Sequence, residues 1–124
     1  MNKEYTNEVK QKWVNTVEYN EYLEKSKNYS KETFRNITLE MEDIFFKFSK
    51  NLELNINCSS EETQVLVTEL KEFISKNFYT CTNDVLFGLG KMYINDERFK
   101  INIDKHCLGT AEYVNSAIEY YCLK

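Results

Sequence analysis

The fold class is decided by residues 34–52, which read FRNITLEMEDIFFKFSKNL. Apolar side chains recur in this stretch every three or four residues, with charged side chains between them. They are Phe34, Ile37, Met41, Ile44, Phe45, Phe48 and Leu52. This spacing puts them on one stripe of an α-helix. The sequence therefore predicts a long amphipathic helix that packs its stripe against other helices.

The segment upstream of this helix also has helical spacing. Residues 4–27 predict a first helix with an apolar face made by Tyr5, Val9, Trp13 and Val17, followed by a more polar second half. A break at residues 28–30 separates it from the long helix, and Ser30 is the predicted N-cap of that helix.

Four further helices are predicted downstream from their start signals. Side-chain oxygens of small polar residues satisfy the free N–H groups of a first turn. The predicted starts are Ser59 in a capping box with Glu62, Thr82, Asp96, and the pair Gly109-Thr110. After Asp96 we expect Phe99 and Ile103 to point inward. With no proline, three glycines and no Asn-Gly or Asp-Gly hairpin signal, we expect one compact all-α domain of five or six helices over residues 1–124.

Composition excludes several classes of function. The net charge is −4, so the segment lacks the basic surface with which proteins bind nucleic acid. No apolar run approaches the roughly 20 residues that cross a membrane. The polar start is not a signal peptide, which makes a cytoplasmic location the default expectation. Aromatic residues form 15% of the chain, and they predict either a ring-rich core or a ring-lined pocket.

The sequence offers little for catalysis or metal binding. The single histidine, His106, adjoins Cys107, but consecutive side chains on a helix do not face each other. The paired spacing of zinc ligands is absent from the set His106, Cys107, Cys81 and Cys122. The Gly88-Leu89-Gly90 segment lacks the rest of a phosphate-binding loop. We therefore expect no enzyme activity, no cofactor and no metal site.

Gly88 and Gly90 lie in a predicted helix, where each glycine costs about 1 kcal/mol relative to alanine. Two explanations remain open. Small residues beside Phe87, Met92 and Tyr93 are typical of a groove floor with adaptable walls, and equally of close packing between two helices.

Several of these segments together resemble the TipAS antibiotic-recognition domain. The resemblance rests on the runs at residues 78–81, 88–93 and 96–99, on Ile103-Asp104, Gly109 and Ala117-Ile118, and on Trp13 and Tyr19 upstream. It implies a globin-like helical fold with a cleft for bulky apolar antibiotics, such as thiopeptides or albicidin-like molecules. Such domains form the effector-binding half of MerR-type transcription activators, or act alone as drug-sequestering proteins. The resemblance also implies that residues 1–30 form a mobile lid.

We expect the ligand site to include Phe87, Gly88, Met92 and Tyr93, with Trp13 and Phe34 contributed by the N-terminal segment. The resemblance implies that Gly88 replaces a cysteine that captures thiopeptides covalently, so we expect non-covalent binding. We further expect a monomer.

Two other functions remain open from the sequence. One is a groove that binds an amphipathic helix of a partner protein. The other is a thiol enzyme or redox sensor that uses Cys81 or Cys107.

Overall fold

A computed structural model describes residues 17–124 of the chain. They contain six helices and no strand, which confirms the all-α prediction. The helices are α1 (Val17–Ser26), α2 (Lys31–Glu53), α3 (Glu61–Asn77), α4 (Asn83–Asn95), α5 (Glu97–Asp104) and α6 (Thr110–Leu123). Trp13 and the first part of the predicted helix 4–27 lie outside the described residues. Within residues 17–124, no helix is both long and apolar enough to cross a membrane.

The helix starts follow local side-chain chemistry. Ser30 accepts a hydrogen bond from the Thr33 N–H at 3.1 Å, and Thr82 accepts one from the Val85 N–H at 3.2 Å. Asp96 caps α5 in the same way, through the Arg98 N–H at 3.0 Å. These three predicted caps are therefore confirmed.

The predicted cap of α3 is wrong by one residue. Ser60, not Ser59, is the N-cap, and its hydroxyl accepts from the Thr63 N–H at 3.4 Å. The side-chain oxygen of Asn57 accepts from both the N–H and the hydroxyl of Ser59, at 2.9 and 2.8 Å. Ser59 is thereby held in the turn before the helix, so the predicted box with Glu62 does not form.

The start of α6 differs from the prediction in its chemistry. Gly109 occupies the N-cap position with φ of 95°, a left-handed conformation that favours glycine, and supplies no side-chain cap. The Thr110 hydroxyl donates backward to the Cys107 carbonyl at 2.6 Å. Asp104, from the end of α5, accepts from the Ala111 N–H at 2.8 Å and satisfies the first turn. The cap of α6 thus comes from the preceding helix.

The core lies between α2, α3, α4 and α6, and α4 packs most extensively against α6. Its largest fully buried side chains are Phe48, Ile44, Leu70, Leu86, Ile118, Val67 and Val114. The stripe of α2 is confirmed except at its ends, because Phe34 is exposed and Leu52 is only half-buried. In α5, Ile103 is buried as predicted. Phe99, which was expected to point inward, is 37% exposed, and its ring contacts the buried ring of Tyr93.

Helix α1 lies on the surface, and none of its described residues is buried. The carboxylate of Glu21 accepts from the N–H and the hydroxyl of Thr80, each at 2.8 Å. The ring of Tyr22 packs on Phe78 with 5.7 Å between centroids. These contacts tie α1 to the loop between α3 and α4.

Candidate functional site

The two glycines of α4 have different environments. A Cβ atom on Gly90 would lie 2.7 Å from the Asn115 side-chain oxygen and 3.4 Å from two carbons of Ile118. A Cβ atom on Gly88 would meet no atom within 4 Å. Gly90 therefore permits the close approach of α4 and α6, while Gly88 lies on an open outward face. Close packing between two helices, one of the two explanations that the sequence left open, is therefore confirmed at Gly90, and a groove floor at Gly88 stays a prediction.

The outward face of α4 continues from Gly88 to Met92, four residues later and hence on the same side of the helix. Val85 and Leu89 border this face and are partly buried against the core. Tyr93 follows at the inner edge and is 5% exposed. The structure thus brings Gly88 and Met92 to one side of α4, whereas Tyr93, five residues after Gly88, lies on the core side.

Phe87 lies on the other side of α4. The ammonium of Lys91 stands 4.9 Å from the centroid of its ring, and Lys91 forms an ion pair with Glu119 of α6. Phe87 therefore faces toward α6 and not toward the outward face. Phe87 thus lies about 100° around the helix from Gly88, on the side of Lys91.

A series of aromatic rings runs from α5 across α4 to α1. We call Tyr22, Phe78, Tyr79, Tyr93 and Phe99 the aromatic belt. Its neighbouring centroids lie 6.0 Å apart for Phe99 and Tyr93, 6.5 Å for Tyr79 and Phe78, and 5.7 Å for Phe78 and Tyr22. Tyr79 also lies close enough to Tyr93 to affect its ionisation. Within the belt, Tyr79 and Tyr93 are buried in the core, and Tyr22, Phe78 and Phe99 are partly exposed.

Phe34 lies at the far end of the belt. It is 42% exposed, and its ring meets that of Tyr29 edge-on at 5.4 Å. The Tyr29 hydroxyl donates to the Asn77 carbonyl at 2.9 Å, which places this pair beside Phe78 at the end of α3. Phe34 is therefore connected to the belt through Tyr29. Trp13, the remaining predicted site residue, lies outside the described part of the chain.

Four belt residues were absent from the predicted site: Tyr22, Phe78, Tyr79 and Phe99. Helical periodicity assigns Phe99 to the interior and Phe78 to the apolar face of the preceding helix, where it is the residue after the last turn, and gives no information about Tyr79. The signal that was available is the resemblance itself, because Phe78, Tyr79 and Phe99 belong to its matching runs.

The site contains neutral phenols and thiols. Burial raises the pKa of Tyr79 to about 12 and also raises the pKa of Tyr93. It raises the pKa of the Cys81 thiol to about 11, so that this thiol is protonated and a weak nucleophile at neutral pH. Residues 17–124 contain no group of three or more His, Cys, Asp or Glu side chains placed to hold a metal ion. These groups can form apolar contacts and hydrogen bonds.

A depression lies on the surface of α6. It is a shallow groove of about 430 Å³ along the outer face of α6, lined by Cys58, Ser116, Glu119, Tyr120, Leu123 and Lys124. It shares no residue with the outward face of α4 or with the belt.

Six helices around one apolar core, with no strand among residues 17–124, define the class as small all-α domains. The chain is a member of the TipAS antibiotic-recognition domain family, whose model matches residues 5–121. It is 32% identical over 115 residues to the HTH-type transcriptional activator TipA of Streptomyces coelicolor, covering 93% of this chain and 46% of the activator. It is also 32% identical over 94 residues to the activator mta of Bacillus subtilis, covering 76% of this chain and 36% of mta. The chain thus spans less than half the length of these relatives.

A solved structure shows the same fold. It is TipAS from Streptomyces lividans in complex with the thiopeptide nosiheptide, with a TM-score of 0.87 and 31% sequence identity. The match covers 97% of this chain and 84% of the other.

Proposed function

We propose that the domain binds a bulky, largely apolar antibiotic, of the thiopeptide kind, without transforming it. The observation that carries the proposal is the match over 97% of the chain to a domain solved with nosiheptide bound. The ligand lies on the outward face of α4, against Gly88 and Met92, with the aromatic belt as its second wall.

Apolar burial supplies the binding energy. Each Å² of apolar surface removed from water contributes about 25 cal/mol, against the cost of fixing ligand and protein relative to each other. Aromatic walls suit this role because large rigid rings bury much area and lose few rotamers on binding. The raised pKa of Cys81 supports binding without covalent capture at that thiol.

The N-terminal segment is proposed to close over the ligand. In the described part of this segment, α1 is held by the contacts of Glu21 with Thr80 and of Tyr22 with Phe78. Since none of its described residues is buried, α1 can move at low cost. We extend the proposed lid over residues 1–30.

The wider role follows the relatives. Both are transcription activators that extend well beyond the matching region. We propose that this domain senses or sequesters an antibiotic in the cytoplasm, either as the effector-binding half of a MerR-type activator or by itself.

The test is a thermal-shift titration with nosiheptide, other thiopeptides, albicidin-like compounds and unrelated apolar drugs. A ligand at one hundred times its dissociation constant adds about 2.7 kcal/mol of stability. We expect at least one thiopeptide or albicidin-like compound to raise the melting temperature, and the unrelated drugs to leave it unchanged. No shift with any antibiotic at saturating concentration would contradict the proposal.

Two tryptophan variants locate the site. Gly88→Trp fills the outward face of α4, where a side chain meets no other atom within the first 4 Å, so the fold is retained while binding is lost. Ser116→Trp is the matched control, because it adds the same ring to the exposed groove of α6. Binding that survives Gly88→Trp but not Ser116→Trp would move the ligand to the α6 groove.

The α6 groove itself favours a second candidate function, the binding of a partner's amphipathic helix. Tyr120 and Leu123 lie three residues apart on this surface and are 46% and 73% exposed. Recovery of one stoichiometric partner protein, whose binding Ser116→Trp abolishes, would support this function.

A further inference from the structure

The outward face of α6 has a narrow stripe with one charged residue on each edge. Ser116, Tyr120 and Leu123 lie three or four positions apart and therefore share one side of the helix. All three are exposed, Tyr120 by 46% and Leu123 by 73%, and we call them the α6 stripe. At about 100° per residue, Glu119 and Lys124 fall on opposite edges of this stripe. A carboxylate thus borders one edge and an ammonium the other.

Both edge residues can bind a further charged group. The hydrogen bond from Lys91, together with one from Asn115, holds the pKa of Glu119 below its usual value, so this residue is anionic at neutral pH. Both bonds use its Oε1 atom, and the Oε2 atom can accept from another donor. The exposed ammonium of Lys124 stands over two tyrosine rings, with 5.4 Å to the nearer centroid. A contact with a ring face leaves its N–H groups available to a carboxylate.

The opposite charges of the two edges determine which helix the stripe fits. With Tyr120 at position a of a heptad, Ser116 and Leu123 occupy d, Glu119 occupies g and Lys124 occupies e. When two copies of one helix pack in parallel, position g of each faces position e of the other, five residues later in sequence. Glu119 and Lys124 have this separation. In an antiparallel pair each edge would face the same edge of the other copy, which would bring like charges together. The stripe is therefore complementary to a second copy of itself in the parallel arrangement.

We propose that the α6 stripe binds a second copy of this chain, through a parallel, two-fold symmetric pair of α6 helices. Glu119 of each copy forms an ion pair with Lys124 of the other, and the side chains of Tyr120 and Leu123 pack on their counterparts. About two helical turns from each copy form the contact, whereas a standard interface uses roughly 20–30 residues a side. The dimer is therefore weak, and the monomer expected from the sequence is the form at low concentration. This proposal is independent of the proposed antibiotic site on α4.

Sedimentation velocity over a range of protein concentrations measures the association. Ser116→Leu places an apolar side chain at a d position, where leucine strengthens parallel dimers. We expect it to tighten the dimer about tenfold or more, because two leucines, one from each copy, become buried. Asn102→Leu is the matched control, since it adds the same side chain to an exposed position of α5. We expect this control to associate no more tightly than the unmodified chain.

Two charge reversals test the pairing of the edges. Lys124→Glu places two carboxylates at each edge contact, and Glu119→Lys places two ammonium groups there. Each variant alone should dimerise more weakly than the unmodified chain. Mixed in equal amounts, the two variants should associate again, because each contact then joins one carboxylate to one ammonium. Melting temperatures confirm that both variants are folded, since Glu119→Lys also removes the ion pair with Lys91.

The outcomes that would overturn the proposal are distinct. A Ser116→Leu variant that stays monomeric at every concentration would overturn it. An equal gain from Asn102→Leu would show that any added leucine causes association, and would overturn it too. Charge-reversal variants that do not associate with each other while each remains folded would refute the parallel pairing. Recovery of a different protein on this surface, without self-association, would make the α6 groove a site for that partner and not for a second copy.

Discussion

Replacing each glycine of α4 with alanine tests the packing that positions the site. Both substitutions remove a flexible residue from a helix, and each gains about 1 kcal/mol in helix propensity. At Gly88 nothing opposes this gain, because a Cβ atom there meets no other atom within 4 Å. At Gly90 the new atom would lie 2.7 Å from the Asn115 side-chain oxygen and 3.4 Å from Ile118. Overpacking of this kind typically costs about 1–3 kcal/mol.

The gain in helix propensity is the same for both variants. The Gly90→Ala variant should therefore be less stable than the Gly88→Ala variant by about 1–3 kcal/mol, the cost of overpacking. Relative to the unmodified chain, Gly88→Ala is stabilised, and Gly90→Ala ranges from neutral to about 2 kcal/mol less stable. Urea unfolding followed by circular dichroism gives both free energies of unfolding. In a thermal scan, 1 kcal/mol corresponds to about 4 °C in a domain of this size.

Equal stability of the two alanine variants would refute the reasoning, since it would mean that α4 and α6 do not approach closely at Gly90. A second substitution identifies the contact. Asn115→Ala removes the oxygen that a Cβ atom on Gly90 would meet at 2.7 Å. Introduced together with Gly90→Ala, it should cost less than the sum of the two single changes. Strict additivity would assign the effect of Gly90→Ala to another cause.

Three further predictions concern other parts of the domain. Glu21→Ala should increase amide hydrogen exchange in α1, whereas Glu24→Ala, an equal charge change on the same helix, should not. The hydrogen bonds from Thr80 hold the pKa of Glu21 below its usual value, so this tether is present at neutral pH and is lost as the pH falls through the lowered pKa. Thr63→Val should lower the free energy of unfolding in urea by about 1–3 kcal/mol, because the buried Thr63 hydroxyl accepts from the Asn51 side-chain amide and bonds the Tyr113 hydroxyl, and both bonds would be lost. Cys81 should react with iodoacetamide far more slowly than a free thiol, since its pKa is about 11, and rapid alkylation at pH 8 would contradict this.

The helices were predictable because the signals that form them in this chain lie close together in sequence. The stripe from Ile37 to Phe48 and the caps at Ser30, Thr82 and Asp96 depend on residues three or four positions apart. The predicted cap of α3 was wrong because the Asn57 side chain binds Ser59. The capping-box pattern considers only the cap and the residue three positions later, and not a residue two positions upstream. The cap of α6 was incomplete because its acceptor, Asp104, lies seven residues before the N–H it binds.

The residues of the proposed site were less predictable, because their exposure depends on which side of α4 packs against α6. Phe87 and Gly88 are adjacent in sequence, yet one stands beside Lys91 and Glu119 while the other faces outward. Periodicity shows that two residues lie on different sides of a helix, but not which side the neighbouring helix covers. In the structure, the contact between Asn115 and the Gly90 position shows which side of α4 is covered by α6. Asn115 lies 25 residues after Gly90, beyond the range of any local pattern.

The arrangement of α4 separates helix packing from the proposed recognition surface within one helix. On one side, Gly90 lets α6 approach closely, and the ion pair of Lys91 with Glu119 spans the same interface. On the other side, Gly88 keeps the surface free of side-chain atoms that a ligand would have to displace. If the ligand binds at Gly88 and Met92 as we propose, substitutions there can change ligand preference without loosening the α4–α6 contact. Tyr93 belongs to the core side of this helix, where its ring packs edge-on against that of Phe45.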